Sequence, residues 1–198
     1  MRKGFTLIEL LIVVAIIGIL TAILIPNIQV ALNKSKQKNT MKDISSISTA
    51  IMGYVTDNGV SPAQDGTYEG GDTFSNALSP LQIKVLPIKD HWGNPFRIWC
   101  GSAATQYGIS DPEPDDFLVA SFGRDDEQDD FTFDPEASEI GVYSIGSMDD
   151  FDKDLVMWNG TWVHGPGGYS GSGGGDDSGG GGDDGGESGC SPPSRPRG

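Results

Sequence analysis

A chain of 198 residues with 28 acidic against 13 basic side chains has room for one domain of ordinary size plus appendages, which disfavours a multidomain catalytic machine. Its net charge of -15 is unevenly spread: residues 1–42 carry six Lys/Arg against Glu9 alone, and the remainder carries seven Lys/Arg against twenty-seven Asp/Glu. An acidic body repels phosphate backbones, so direct nucleic-acid binding is not expected and divalent cations are the expected ionic partners.

The chain opens "MRKGFTLIELLIVVAIIGILTAILIPN", in which the run from Phe5 to Ile25 holds one charge, Glu9. At 1.5 Å per residue this run reaches about 32 Å, close to the hydrocarbon thickness of a bilayer. Arg2 and Lys3 precede it and no basic cluster follows before Lys34, which places the N-terminus in the cytoplasm and the acidic body outside it. A cleaved secretory signal fits less well, because the apolar run exceeds an ordinary signal core and no A-x-A-like site follows Ile25. An ionisable group inside a membrane segment needs a cation. Cleavage after Gly4 supplies one, the α-amino group of Phe5, which the Glu9 of a neighbouring copy can neutralise. The stretch "KGFTLIELLIVVAIIGILTAILIP" resembles the class III signal of type IV pilins and type II secretion pseudopilins. That resemblance implies cleavage between Gly4 and Phe5 and N-methylation of Phe5 by a prepilin peptidase. It also implies packing of the apolar helices into a filament core, with Phe5, Glu9 and Pro26 as the assembly residues.

Pro26 removes a backbone donor and is expected to kink a helix that otherwise runs on. Beyond it Ile44, Ile47, Ile51, Tyr54 and Val55 recur at helical spacing, which predicts an amphipathic continuation over 26–57 ending near Asp57, Asn58 and Gly59. Lys34, Lys36, Lys38 and Lys42 form either a lipid headgroup contact or a solvated face. Over 58–166 the runs "FRIW", "DFLVASF" and "DLVMW" between Gly, Pro, Asp and Asn turns predict a small antiparallel sheet. The expected fold class is α+β: a leader at 1–4, a transmembrane helix at 5–25, its amphipathic continuation, and a pilin-like sheet domain.

"LPIKDHWGNPF", from Leu86 to Phe96, combines turn chemistry at Asp90, Gly93, Asn94 and Pro95 with apolar anchors at Trp92 and Phe96. With the opening signal and "YVTDNGVSP" it resembles the major pseudopilin of type II secretion systems, His91 standing where that family has Pro. Two acidic stretches follow, "SFGRDDEQDDFTFD" and "SMDDFDKDLVMW". Clustered Asp in Gly-containing loops suits calcium, although no EF-hand spacing is present. "SFGRD" and "DLVMW" are similar to the start and end of that family's calcium loop. The resemblance implies a structural calcium held by the Phe122 carbonyl, Asp125, Asp152 and Asp154, with Asp126 departing from the family's Gly and a longer intervening loop. The alternative is a solvated acidic loop without metal.

Residues 167–198, rich in Gly, Ser and Asp, predict a disordered tail. Cys100 and Cys190 either pair or remain one buried and one exposed thiol. His91 and His164 lie in no catalytic motif, and no nucleophile motif is present, so no catalytic residue is expected. The resemblance implies the major subunit of a type II secretion pseudopilus, a homo-polymer that drives export of folded periplasmic proteins. Its implied partners are minor pseudopilins, the prepilin peptidase, the inner-membrane assembly platform and membrane lipid. The chain is then a single-pass protein of the bacterial inner membrane with a periplasmic C-terminal domain. The alternative is a type IV pilin subunit of a surface fibre for adhesion, motility or DNA uptake.

Overall fold

The computed structural model describes residues 5–133 and 141–167. Its first element, α1 (Leu7–Asn58), begins with a reciprocal cap: the Glu9 N–H donates to Thr6 Oγ1 (3.3 Å), and the Thr6 N–H donates to Glu9 Oε2 (2.9 Å). The helix bends by 41° between Leu7–Ala22 and Asn27–Asn58, across the position of Pro26. Among the described residues no single helix is long and apolar enough to cross a membrane; the two halves of this bent pair meet the length and composition together. At the far end Gly59 adopts φ 75° and donates its N–H to Val55 O, a left-handed cap that glycine accepts without penalty.

The two halves of α1 differ in what covers them. Leu7, Leu10, Ile16 and Ile19 stay more than half exposed, whereas Met41, Ile44, Ile47 and Ile51 are fully buried against the body. Each such aliphatic side chain removed from water contributes roughly 2 kcal/mol, so the second half is held by its own apolar stripe. Among the described residues of the first half no apolar side chain is buried.

A six-stranded sheet packs on that stripe. Its strands are β1 (Asp65–Thr67), β2 (Arg97–Cys100), β3 (Phe117–Ser121), β4 (Gly141–Tyr143), β5 (Leu155–Trp158) and β6 (Thr161–Pro166), in the order β1-β2-β3-β5-β6-β4. A short helix, α2 (Thr73–Leu78), capped by Asp72, buries Phe74 and Leu78 beneath α1. The β5–β6 connection is a two-residue turn with Asn159 at φ 46° and Gly160 at φ 81°, the Asn-Gly signature of a tight hairpin.

Alternation along the strands divides the core into two layers. Ile98, Val119, Leu155 and Met157 face α1, while Trp99, Leu118, Ala120 and Val156 face away. That outer layer is closed by the segment after β3, which contributes Phe131 and Phe133, so all five residues of β3 are buried.

The sheet corrects the expectation of a purely antiparallel arrangement: β4 pairs with β6 in parallel, Gly141 opposite His164. Because β3, β5 and β6 alternate in direction, a strand on the outer edge of β6 that follows β3 in sequence must be reached by a crossover. The chain after Ser121 supplies it over the outer face, which a tight hairpin cannot do.

Candidate functional site

Three places carry the residues singled out by sequence. The first is the start of α1. Phe5 is 76% exposed and Glu9 is exposed, its carboxylate engaged by the backbone and hydroxyl of Thr6 in the same chain. Glu9 therefore completes a capping box with the N-cap Thr6, a role that the T-x-x-E spacing of the two residues encodes. Gly4 and the leader lie outside the described residues. Beyond the bend Lys34, Lys36, Lys38 and Lys42 are all exposed.

The second is the turn at Leu86–Phe96, which proves to be the junction of the body. Asp90 is buried, and its Oδ1 accepts the backbone N–H groups of Trp92, Gly93 and Asn94, each at 2.9 Å. Gly93 sits at φ 101°, where a side chain is strained. The other Asp90 oxygen accepts the hydroxyl of Ser121 at the end of β3 (2.7 Å). From this folded turn the Trp92 indole N–H donates to Asn33 Oδ1 (3.0 Å) and the His91 N–H donates to Thr40 Oγ1 (3.2 Å), both on α1. His91 Nε2 lies 3.2 Å from Asp43. Asn94 Nδ2 donates to the Gly123 carbonyl (2.8 Å). The turn thus fixes the long helix, the central strand and the acidic loop in one arrangement.

The third is the acidic region itself. Asp152 accepts a two-pronged contact from Arg124, Nε to Oδ1 at 2.7 Å and Nη2 to Oδ2 at 2.8 Å. Asp126 pairs with Arg97 (2.8 Å), and the Arg97 guanidinium also stacks on the Phe122 ring at 3.8 Å. Asp125 Oδ1 accepts the Glu127 N–H (3.1 Å). Asp150 pairs with Lys153 and accepts N–H groups from Gly146 and Ser147; these bonds, the Lys153 contact foremost, hold its carboxyl well below the usual carboxylate range.

Asp154 behaves differently. It is fully buried, its Oδ2 accepts the Tyr107 hydroxyl (2.6 Å) and the Asp129 N–H (3.1 Å), and its Oδ1 has no hydrogen-bond partner. Burial pushes its pKa up to about 7. The same desolvation raises the Tyr107 hydroxyl and lowers His164, whose Nδ1–H donates to the Asp154 carbonyl (2.7 Å) between the rings of Phe131 and Tyr143.

These contacts decide whether the residues fit a calcium ion. Among the described residues no group of three or more His, Cys, Asp or Glu side chains converges in a way that holds a metal. Asp152 has both oxygens taken by Arg124, and Asp154 is turned toward Tyr107 and Asp129. Of the expected set, Asp152 is thus engaged by Arg124, whereas Asp154 keeps one buried oxygen without a hydrogen-bond partner and feels the charges of Asp125 and Asp129. Arg124, directly before Asp125 in "SFGRD", is the cation that a count of carboxylates leaves out.

Cys100 is a buried free thiol, pushed up to about 12 by burial. Cys190 and the tail from residue 168 onward lie outside the described residues.

Against known proteins, the profile of the prokaryotic N-terminal methylation motif matches residues 1–25. The type II secretion system core protein G of Vibrio cholerae is 37% identical over 105 residues, covering 49% of this chain and 71% of the relative. That of Aeromonas hydrophila is 34% identical over 107 residues, covering 49% and 72%. The type IV major pilin protein PilA of Myxococcus xanthus is 31% identical over 137 residues, covering 61% and 59%. No solved structure gives a significant match.

Proposed function

This chain belongs to the family of type II secretion system core protein G, and on that premise we propose that it is a structural, non-catalytic subunit of a secretion pseudopilus. A prepilin peptidase cleaves after Gly4 and methylates Phe5. The bent apolar helix holds the subunit in the inner membrane, with Arg2 and Lys3 on the cytoplasmic side and the sheet domain on the periplasmic side. Copies then withdraw from lipid into a homo-polymer, together with minor pseudopilins and the assembly platform, and the growing filament drives folded proteins out of the periplasm.

The observation that carries this reading is the divided surface of α1. One continuous helix buries its second half against its own body and leaves Leu7, Leu10, Ile16 and Ile19 bare. An apolar surface of this size on a folded chain needs lipid or other copies of the same helix to cover it.

A surface pilus is the second reading, supported by the match to the Myxococcus pilin, which covers less of that relative, 59%, than the core protein G matches cover of theirs. Deleting the gene in the source bacterium separates the two. In the secretion role, proteins normally released to the medium accumulate in the periplasm and return to the medium on complementation. Unchanged export together with the loss of surface fibres contradicts the secretion role and supports the pilus.

A further inference from the structure

We infer that Arg124 is a built-in cation that joins the acidic loop after β3 to the segment before β5, so that this junction is closed by the chain itself and not by a bridging divalent metal. The two segments meet directly. The Arg124 N–H donates to the Phe151 carbonyl (2.9 Å), and Gly123, at φ 63°, lies so close that an added Cβ would sit 2.3 Å from the Asp152 carbonyl oxygen. A bridging calcium ion needs several oxygens at about 2.3–2.6 Å around it. Here the backbones are in contact, and the guanidinium has taken both oxygens of Asp152, at 2.7 and 2.8 Å.

Geometry favours a stable pair. The planar fork of an arginine matches a carboxylate in two parallel hydrogen bonds, which fixes orientation as well as charge. Arg124 and Asp152 are 35% and 25% exposed at the side chain, so water screens them only in part. Asn94 holds the Gly123 carbonyl, so the arginine is presented from a loop already anchored to the Asp90 turn. Arg97 pairs with Asp126 on the same loop and Lys153 with Asp150 on the opposing segment, so three cations each offset one of the carboxylates that face each other here. A cation fixed in the chain cannot be diluted away, whereas a bound metal stabilises only as its free concentration exceeds its dissociation constant.

The test is thermal unfolding of the full-length protein in detergent, with a calcium chelator, with millimolar calcium and with millimolar magnesium. The expected melting temperature is the same in all three. Arg124→Ala should lower it by about 5 °C and open residues 122–133 to protease. The exchanged double variant, Arg124→Asp with Asp152→Arg, should recover part of the loss. A rise with calcium that magnesium does not reproduce overturns the inference, as does an Arg124→Ala protein with unchanged melting and unchanged protease resistance. If Arg124→Ala is recovered only unfolded, the chelator comparison on the wild-type protein decides by itself.

Discussion

Glu9→Ala should enter the membrane as well as the wild-type protein and yield no filaments. The apolar run around position 9 drives insertion with or without the carboxylate, and removing a charge near the end of the run favours insertion by less than the roughly 3 kcal/mol a charge costs at a helix centre. Assembly is different, because in lipid an unpaired carboxylate and an unpaired amine are both costly and their mutual attraction is barely screened. The Glu9 carboxylate also caps its own helix through Thr6, and losing a cap costs about 1 kcal/mol. Glu9→Gln separates these roles, since the amide oxygen still accepts the Thr6 N–H but carries no charge. Both variants should remain in the membrane pellet after alkaline extraction, and both should lower the sheared filament fraction by more than about tenfold, the factor that 1.4 kcal/mol of lost pairing produces. Normal filaments from Glu9→Gln would leave the residue a cap and nothing more.

Asp90→Ala should cost the body on the order of 3 kcal/mol, measured as a shift in the denaturant midpoint of the full-length protein in detergent. One oxygen of Asp90 receives three backbone N–H groups and the other the Ser121 hydroxyl, and alanine leaves these donors facing an apolar methyl. Disorder in this turn would also release Trp92 from Asn33, His91 from Thr40 and Asn94 from Gly123, so α1 and the acidic loop loosen together. Asp90→Asn should cost less, because its oxygen can keep the three N–H groups and Ser121 can rotate to accept from the amide. An unchanged midpoint in Asp90→Ala would remove this turn from the framework of the body.

Local chemistry made most of the fold readable. The long apolar run, the Ile44, Ile47 and Ile51 stripe and the Asn58-Gly59 stop each act within one helix, and the structure ends α1 at Asn58 with Gly59 in the left-handed region. The strands "FRIW" and "DLVMW" likewise declare themselves by β-prone side chains bounded by turns. What escaped depends on distant partners. β4 is three residues with a Gly and little alternation, and its parallel pairing follows from a crossover that no local signal encodes. Turn chemistry at Asp90 was legible, whereas the Ser121 hydroxyl that completes its coordination is 31 positions away. Arg124 and Asp152 are 28 positions apart, so a count of nearby carboxylates reads as a cation site until the fold brings the arginine across. Asp154 was legible as the carboxylate that opens "DLVMW", whereas its burial and unpartnered Oδ1 depend on Tyr107 and His164 arriving from other segments.

The filament role rests on the first 25 residues being a processed segment. The mass of the N-terminal peptide of the protein recovered from cell membranes tests that most directly. The account requires a chain that begins at Phe5 and carries a methyl group on its amine; an intact Met1, or a chain that begins after Ile25, would contradict it.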